Sequence, residues 1–399
     1  RVVPSWIASA RILYLVAMAM FFVTIVIGIL NGADVVEFDR NQVLTHVHAG
    51  TVGWITLAIL ASTFLLFRDA DRRLTLALAV LVPLYVAAFY TGSWQLRALS
   101  GVALLVAVGW LLIWIWRQFL ASDRSLPRLA VTLGLTTFGY GALIGVLIQV
   151  QGALGVTILS GDYVGAHAGA MTFGYLVLVA MGFIEWRILG TSGLPRAGLV
   201  QVLALFVGGL VISVSLLIDA AQAGGGVYLL TELVAVVLFV VRTWPRSLRT
   251  SWLTGSAGRH VAAASVWVVA ALVLFMYIVF VFIQDPTAID ALPVNILVAS
   301  DHTVYIGVIT NIVLALLGLI ALDEASRRGW IGQLIFWGVN LGLLVFVIGL
   351  ILDTADMKRI GAPVMGATLL LALAILAVRT WSGPTADAET ELEASATPG

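Results

Sequence analysis

With no cysteine in 399 residues, the chain has histidine as its main soft ligand, and it has only five. Four of them stand at the heads of long apolar runs. His46 and His48 open "HVHAGTVGWITLAIL", His167 opens "HAGAMTFGYLVLVAM" and His302 opens "HTVYIGVITNIVLAL". The lack of thiols excludes disulfides, iron–sulfur clusters and covalently attached c-type haem. Imidazole then points to b-type haem or to copper. Each run also carries a glycine before its aliphatic stretch: Gly53, Gly174 and Gly307. Counted back from that glycine, His46 and His167 stand at minus seven, and His48 and His302 at minus five. On one helix, positions i and i+2 differ in direction by about 200°. His46 and His48 therefore face opposite sides and do not share one small ligand.

The elements that carry these residues follow from composition. The sequence is 61% hydrophobic and 11% charged, with mean hydropathy +1.08, more apolar surface than a soluble core absorbs. The expected fold is an all-α polytopic membrane protein of about twelve transmembrane helices. Their approximate limits are 10–31, 43–67, 74–93, 97–120, 127–150, 164–190, 195–218, 225–243, 259–283, 297–321, 328–352 and 362–380. No cleavable signal peptide is expected, since the first apolar run is long enough to span. Of the 21 basic residues, all but Arg40, Arg97, Lys358 and Arg359 fall on one side of this topology. The positive-inside rule makes that side cytoplasmic, with both termini inside a cell (inner) membrane. The four histidines then lie toward the outer face, and His260 reads as an interfacial histidine at the inner end of the ninth span. Residues 1–381 form one transmembrane unit, and 382–399 an acidic, disordered cytoplasmic tail. Net charge is zero and there is no long basic run, so nucleic acid is not indicated. Spans two, six and ten are each four helices apart, which suggests a threefold repeat of four-helix units.

These segments resemble subunit I of the haem-copper oxidase superfamily, including its nitric oxide reductase branch. The resemblance implies three four-helix arcs about a pseudo-threefold axis, with metal ligands on helices two, six, seven and ten. "HVHAGTVGW" is similar to that family's helix-ten signature but sits on helix two. Here helix ten reads "SDH": His302 matches the low-spin haem ligand, and Ser300 stands where the high-spin ligand would be. The seventh span has no histidine for copper, so no oxygen-reducing centre is expected. The NnrS-type haem- and copper-containing membrane proteins, linked to nitric oxide stress, are a close alternative.

Carried around the repeat, the family's rule for which way each histidine faces implies two bis-histidine sites, each a place for haem b. His46 would pair with His302, and His48 with His167. Gly169 and Ser300 would face each other without a ligand. Copper at His48 and His167 is the alternative occupant, if other ligands join. The family's haem propionates meet a basic pair in the loop between helices eleven and twelve. Lys358 and Arg359 match it, and Arg97 is a further cation on that side. Trp54, Tyr175 and Tyr305 are expected at haem edges or as interfacial packing. Asp301 is expected to orient a ligand, and Glu232 to pair with a hydroxyl or serve a proton path. The implied function is a membrane haem protein for electron transfer. It would be a component of an oxidoreductase without oxygen reductase activity, supplied by a separate cytochrome, quinone or partner subunit. Nitric oxide handling and twelve-helix transport are the other function classes left open.

Overall fold

The protein is described from a computed structural model, which describes residues 3–32, 35–190, 193–253, 257–284 and 294–383. The acidic tail beyond Gly383 lies outside the described residues. Among them, twelve helices are long and apolar enough to cross a membrane, and no strand occurs. In chain order they are α1 (Ser5–Gly32), α2 (Arg40–Phe67), α3 (Arg72–Tyr90), α4 (Trp94–Ala121), α5 (Leu126–Leu154) and α6 (Tyr163–Leu189). The second half comprises α7 (Arg196–Leu217), α8 (Ala221–Ser247), α9 (Gly258–Val281), α10 (Val294–Ala321), α11 (Trp330–Ile351) and α12 (Ala355–Ser382). The chain is an all-α, multi-pass membrane protein.

Burial separates these helices into two classes. The apolar windows of α2, α6 and α10 are 83%, 78% and 94% buried, whereas no other helix exceeds 67%. The outer helices instead turn large apolar side chains outward, among them Phe22, Val80, Leu99, Val106, Val241 and Val273. Such a surface suits hydrocarbon rather than water. Helix α4 packs on α5, α8 on α9, and α12 on α1, so the three arcs close into a ring around α2, α6 and α10.

The three central helices share a backbone irregularity that hydropathy does not reveal. Each passes through eight residues of π-helix: Ala49–Thr56, Ala170–Val177 and Thr303–Thr310. Gly53, Gly174 and Gly307 are each the fifth residue of their segment. The widened winding shows in the hydroxyls that fold back onto it. Thr56 donates to Thr51 O at 2.9 Å and Thr310 to Tyr305 O at 2.8 Å, five residues back instead of four. The glycines permit close contact with the first helix of the same arc. A Cβ at Gly53 would fall 2.6 Å from Met20, at Gly174 2.5 Å from Thr137, and at Gly307 2.7 Å from Trp267. π-Helical turns are rare and concentrate at functional sites.

Polar groups at the end away from the four histidines hold the helix ends together. Arg242 on α8 forks onto both oxygens of Glu185 on α6, at 2.9 and 3.1 Å, and donates to Gln201 on α7 at 2.7 Å. His260, near the start of α9, is buried. Its Nδ1 lies 2.9 Å from Asn311 Oδ1, inside a network that includes Asn340 and Trp267. Asn311 on α10 supplies the amide that draws it inward.

Candidate functional site: two interhelical histidine pairs

Helix caps fix where the histidines stand. Asp39 caps α2 by accepting from the backbone N–H groups of Asn41 and Gln42, while Gln42 accepts from the N–H of Asp39. This capping box starts the helix at Arg40, about 1.7 turns before His46. Asp162 caps α6 by accepting from Gly165 N–H at 2.8 Å.

The two register positions are built differently. At minus seven, the imidazole reaches the first helix of its own arc. His46 Nδ1 lies 2.9 Å from Thr24 O on α1, and His167 Nδ1 lies 2.8 Å from Gly141 O on α5. Thr24 and Gly141 are equivalent, each four residues beyond the side chain that meets the π-helical glycine. At minus five, the imidazole folds onto its own helix. His48 Nδ1 is 2.8 Å from Leu44 O, and His302 Nδ1 is 2.8 Å from Val298 O. The third helix of the arc backs that ring: Phe89 stacks on His48 at 3.7 Å between centroids, and Phe346 meets His302 edge-on at 5.1 Å.

A carbonyl can only accept. All four Nδ1 atoms must therefore carry the proton, and all four Nε2 atoms keep a lone pair. No hydrogen bond to any Nε2 occurs among the described residues. Orienting one ring nitrogen through a carbonyl while freeing the other is how proteins present imidazole to a metal. His302 and His46 are electrostatic neighbours across α10 and α2, and His48 and His167 across α2 and α6. Each pair joins a minus-seven histidine to a minus-five histidine.

The cations differ in their commitments. Arg97 is 3% exposed, with one nitrogen donating to Asn41 Oδ1 at 2.7 Å and to Phe89 O at 2.9 Å. Its guanidinium lies between the rings of Phe89 and Trp94, and its Nε makes no hydrogen bond. It has no carboxylate partner among the described residues and is an electrostatic neighbour of His48. Lys358 is bound to Asp353 at 2.9 Å, and Arg359 is exposed. Both belong to the first turns of α12, not to a loop, because that helix starts at Ala355. The Lys358 ammonium and the Asn295 amide hold the Asp353 carboxyl below its ordinary range.

The remaining expected residues have other neighbours than the histidines. Asp301 neighbours Tyr305 rather than His302, whose Nδ1 is taken by a main-chain carbonyl. Trp54 and Tyr175 are buried between helices and bonded to threonines. Glu232 is buried on α8 one turn from the Tyr228 hydroxyl, and its Oε2 makes no hydrogen bond among the described residues. No group of three or more His, Cys, Asp or Glu that could hold a metal ion occurs among the described residues. Copper at His48 and His167 would thus lack a third side-chain donor of those types, whereas a bis-histidine haem needs only two. The residues present fit the haem reading better.

Sequence reasoning missed Thr24, Gly141, Asn41 and Phe89. Main-chain carbonyls leave no residue signature, so Thr24 and Gly141 could not be read. Gly28 and Gly145, one turn further on α1 and α5, could have been found by extending the repeat to the first helix of each arc. No protein-family model and no curated protein sequence matches the chain. Fold and site together define an all-α polytopic membrane protein with two interhelical histidine pairs near one end.

Proposed function

We propose that this protein binds two b-type haems, one between His46 and His302 and one between His48 and His167, and that it transfers electrons within a membrane. The reading rests on one observation: all four histidines donate Nδ1 to carbonyls and keep Nε2 free, in two cross-helix pairs of identical register. If bound there, haem held by two imidazoles would supply a one-electron redox couple. The protein's own contribution is orientation. Carbonyls of α1 and α5 hold the minus-seven rings, and Phe89 and Phe346 hold the minus-five rings. Arg97, buried beside His48 with an unpaired Nε–H, would meet a carboxylate such as a propionate. On the haem-copper oxidase resemblance, the histidine end is the outer face of a cell membrane and the termini are cytoplasmic. Electrons then come from a separate cytochrome, quinone or partner subunit. The absorption spectrum of detergent-purified protein tests this. A Soret band with a reduced α-band in the b-haem region is expected; a colourless preparation after haem-replete expression refutes it.

A further inference from the structure

The threefold arrangement has three interfaces between central helices but only two histidine pairs, and the packing tells the third apart. Eight residues beyond Met20 and Thr137, the first two arcs have Gly28 on α1 and Gly145 on α5. The histidine rings lie against these glycines. A Cβ at Gly28 would come 3.0 Å from His46 Cε1, and one at Gly145 2.8 Å from His167 Cε1. Eight residues beyond Trp267, the third arc has Phe275 instead. Its ring lies 3.4 Å from that of Phe173 on α6 and 5.5 Å from that of Tyr228, centroid to centroid. The facing positions there are Ser300 at minus seven and Gly169 at minus five, and Gly169 is backed by Ile212 on α7. The third interface, between α6 and α10, therefore departs from the other two at every position of the site: ligand, facing ligand and the small residue beneath the ring.

We infer that Gly28 and Gly145 determine which interfaces admit a planar cofactor, and that Phe275 closes the third. The physical basis is volume. A glycine on the first helix leaves room for the minus-seven imidazole to lie against the backbone. The Phe275 ring at the same register instead packs across to Phe173 of the neighbouring arc. The inference rests on the haem reading of the two histidine pairs and adds the residues that set how many such sites the fold can hold.

Haem per chain in purified full-length protein tests it. Wild type carrying fewer than two haems sinks the proposed function itself and is established first. With two in wild type, Gly145→Phe should retain one haem with the spectrum of the His46/His302 site, and Gly28→Phe should retain the other. Gly109→Ala, where nothing lies within 4 Å of the added Cβ, should retain both. Two haems in a folded Gly145→Phe protein would overturn the inference. If the phenylalanine variants do not fold, Phe275→Gly combined with Ser300→His and Gly169→His decides. A gain to three haems is expected, and a folded protein holding two overturns it. The Cβ of residue 169 would meet only Ile212, at 3.6 Å, so a side chain can be added there.

Discussion

Trp54 on α2 donates its indole N–H to Thr310 Oγ1 on α10 at 2.9 Å, and one step of the repeat converts this bond into another. Trp54 stands at plus one from its π-helical glycine and Thr310 at plus three. Tyr175, at plus one on α6, donates to Thr56, at plus three on α2. The third member of the set is Val308 on α10 with Val177 on α6, both buried and apolar. The same helix order, α6 to α2 to α10, governs the histidine pairs. The two interfaces with a histidine pair are those with the aromatic-to-threonine bond, and the interface without one has valines.

Trp54→Phe removes that bond together with part of a fully buried ring, while the remaining ring can keep its stack on Phe21, now 4.4 Å between centroids. Thr310 still donates to Tyr305 O, so no buried donor is orphaned. The expected cost is about 2–3 kcal/mol, the lost bond plus the cavity, read as a lower midpoint of thermal unfolding in detergent. Haem content should not change; a Trp54→Phe protein that folds but loses haem would mean the indole does more than join two helices.

Arg97→Gln removes a buried cation next to the His48 and His167 pair. Loss of a positive charge favours the oxidised iron, so the potential of that site should fall while the His46 and His302 site stays put. At an effective dielectric of about 20 the change is on the order of 1–2 kcal/mol. Spectroelectrochemical titration resolving both components measures it. Equal shifts in both would place Arg97 between the sites rather than at one.

Reduced protein should not bind carbon monoxide. On the proposed reading all four histidines would be engaged by the two haems, and the seventh span offers no further histidine. Stopped-flow mixing with carbon monoxide is expected to leave the α-band unchanged. A fast shift across the whole population would require an open site and would favour gas chemistry.

Asp353 joins the α11–α12 turn to Asn295 and Lys358. Its carboxyl is held low in the folded protein, so the contact stabilises the turn above the ordinary aspartate range of about 4. That contribution disappears as pH falls through the depressed folded value. Lys358→Met should return the Asp353 carboxyl toward its ordinary range, seen by carbon NMR of labelled aspartate. No change on that substitution would show that Asn295 alone sets it.

Hydropathy gave the number of helices and nearly all their positions, because a membrane span is written in consecutive side chains. It lost the ends. Helix α12 starts at Ala355 rather than 362, since its first turns are polar and add nothing to an apolar window. The histidine register was also legible: a residue type rare in this chain recurred against a shared glycine. The π-helical winding was not, because it is a hydrogen-bonding choice of the backbone rather than a pattern of residues. Nor were the carbonyls of Thr24, Gly141, Leu44 and Val298, which any residue supplies. Asp301 was expected beside a histidine from adjacency alone, and helix geometry sends its side chain toward Tyr305 instead.

The central claim is the pairing of the four histidines, and haem content of four single variants tests it most directly. His46→Ala and His302→Ala should each lose the same spectral component, and His48→Ala and His167→Ala should each lose the other. Every variant should retain one haem per chain by pyridine haemochrome. Loss of different components by His46→Ala and His302→Ala, or loss of both haems on any single folded change, would contradict the pairing.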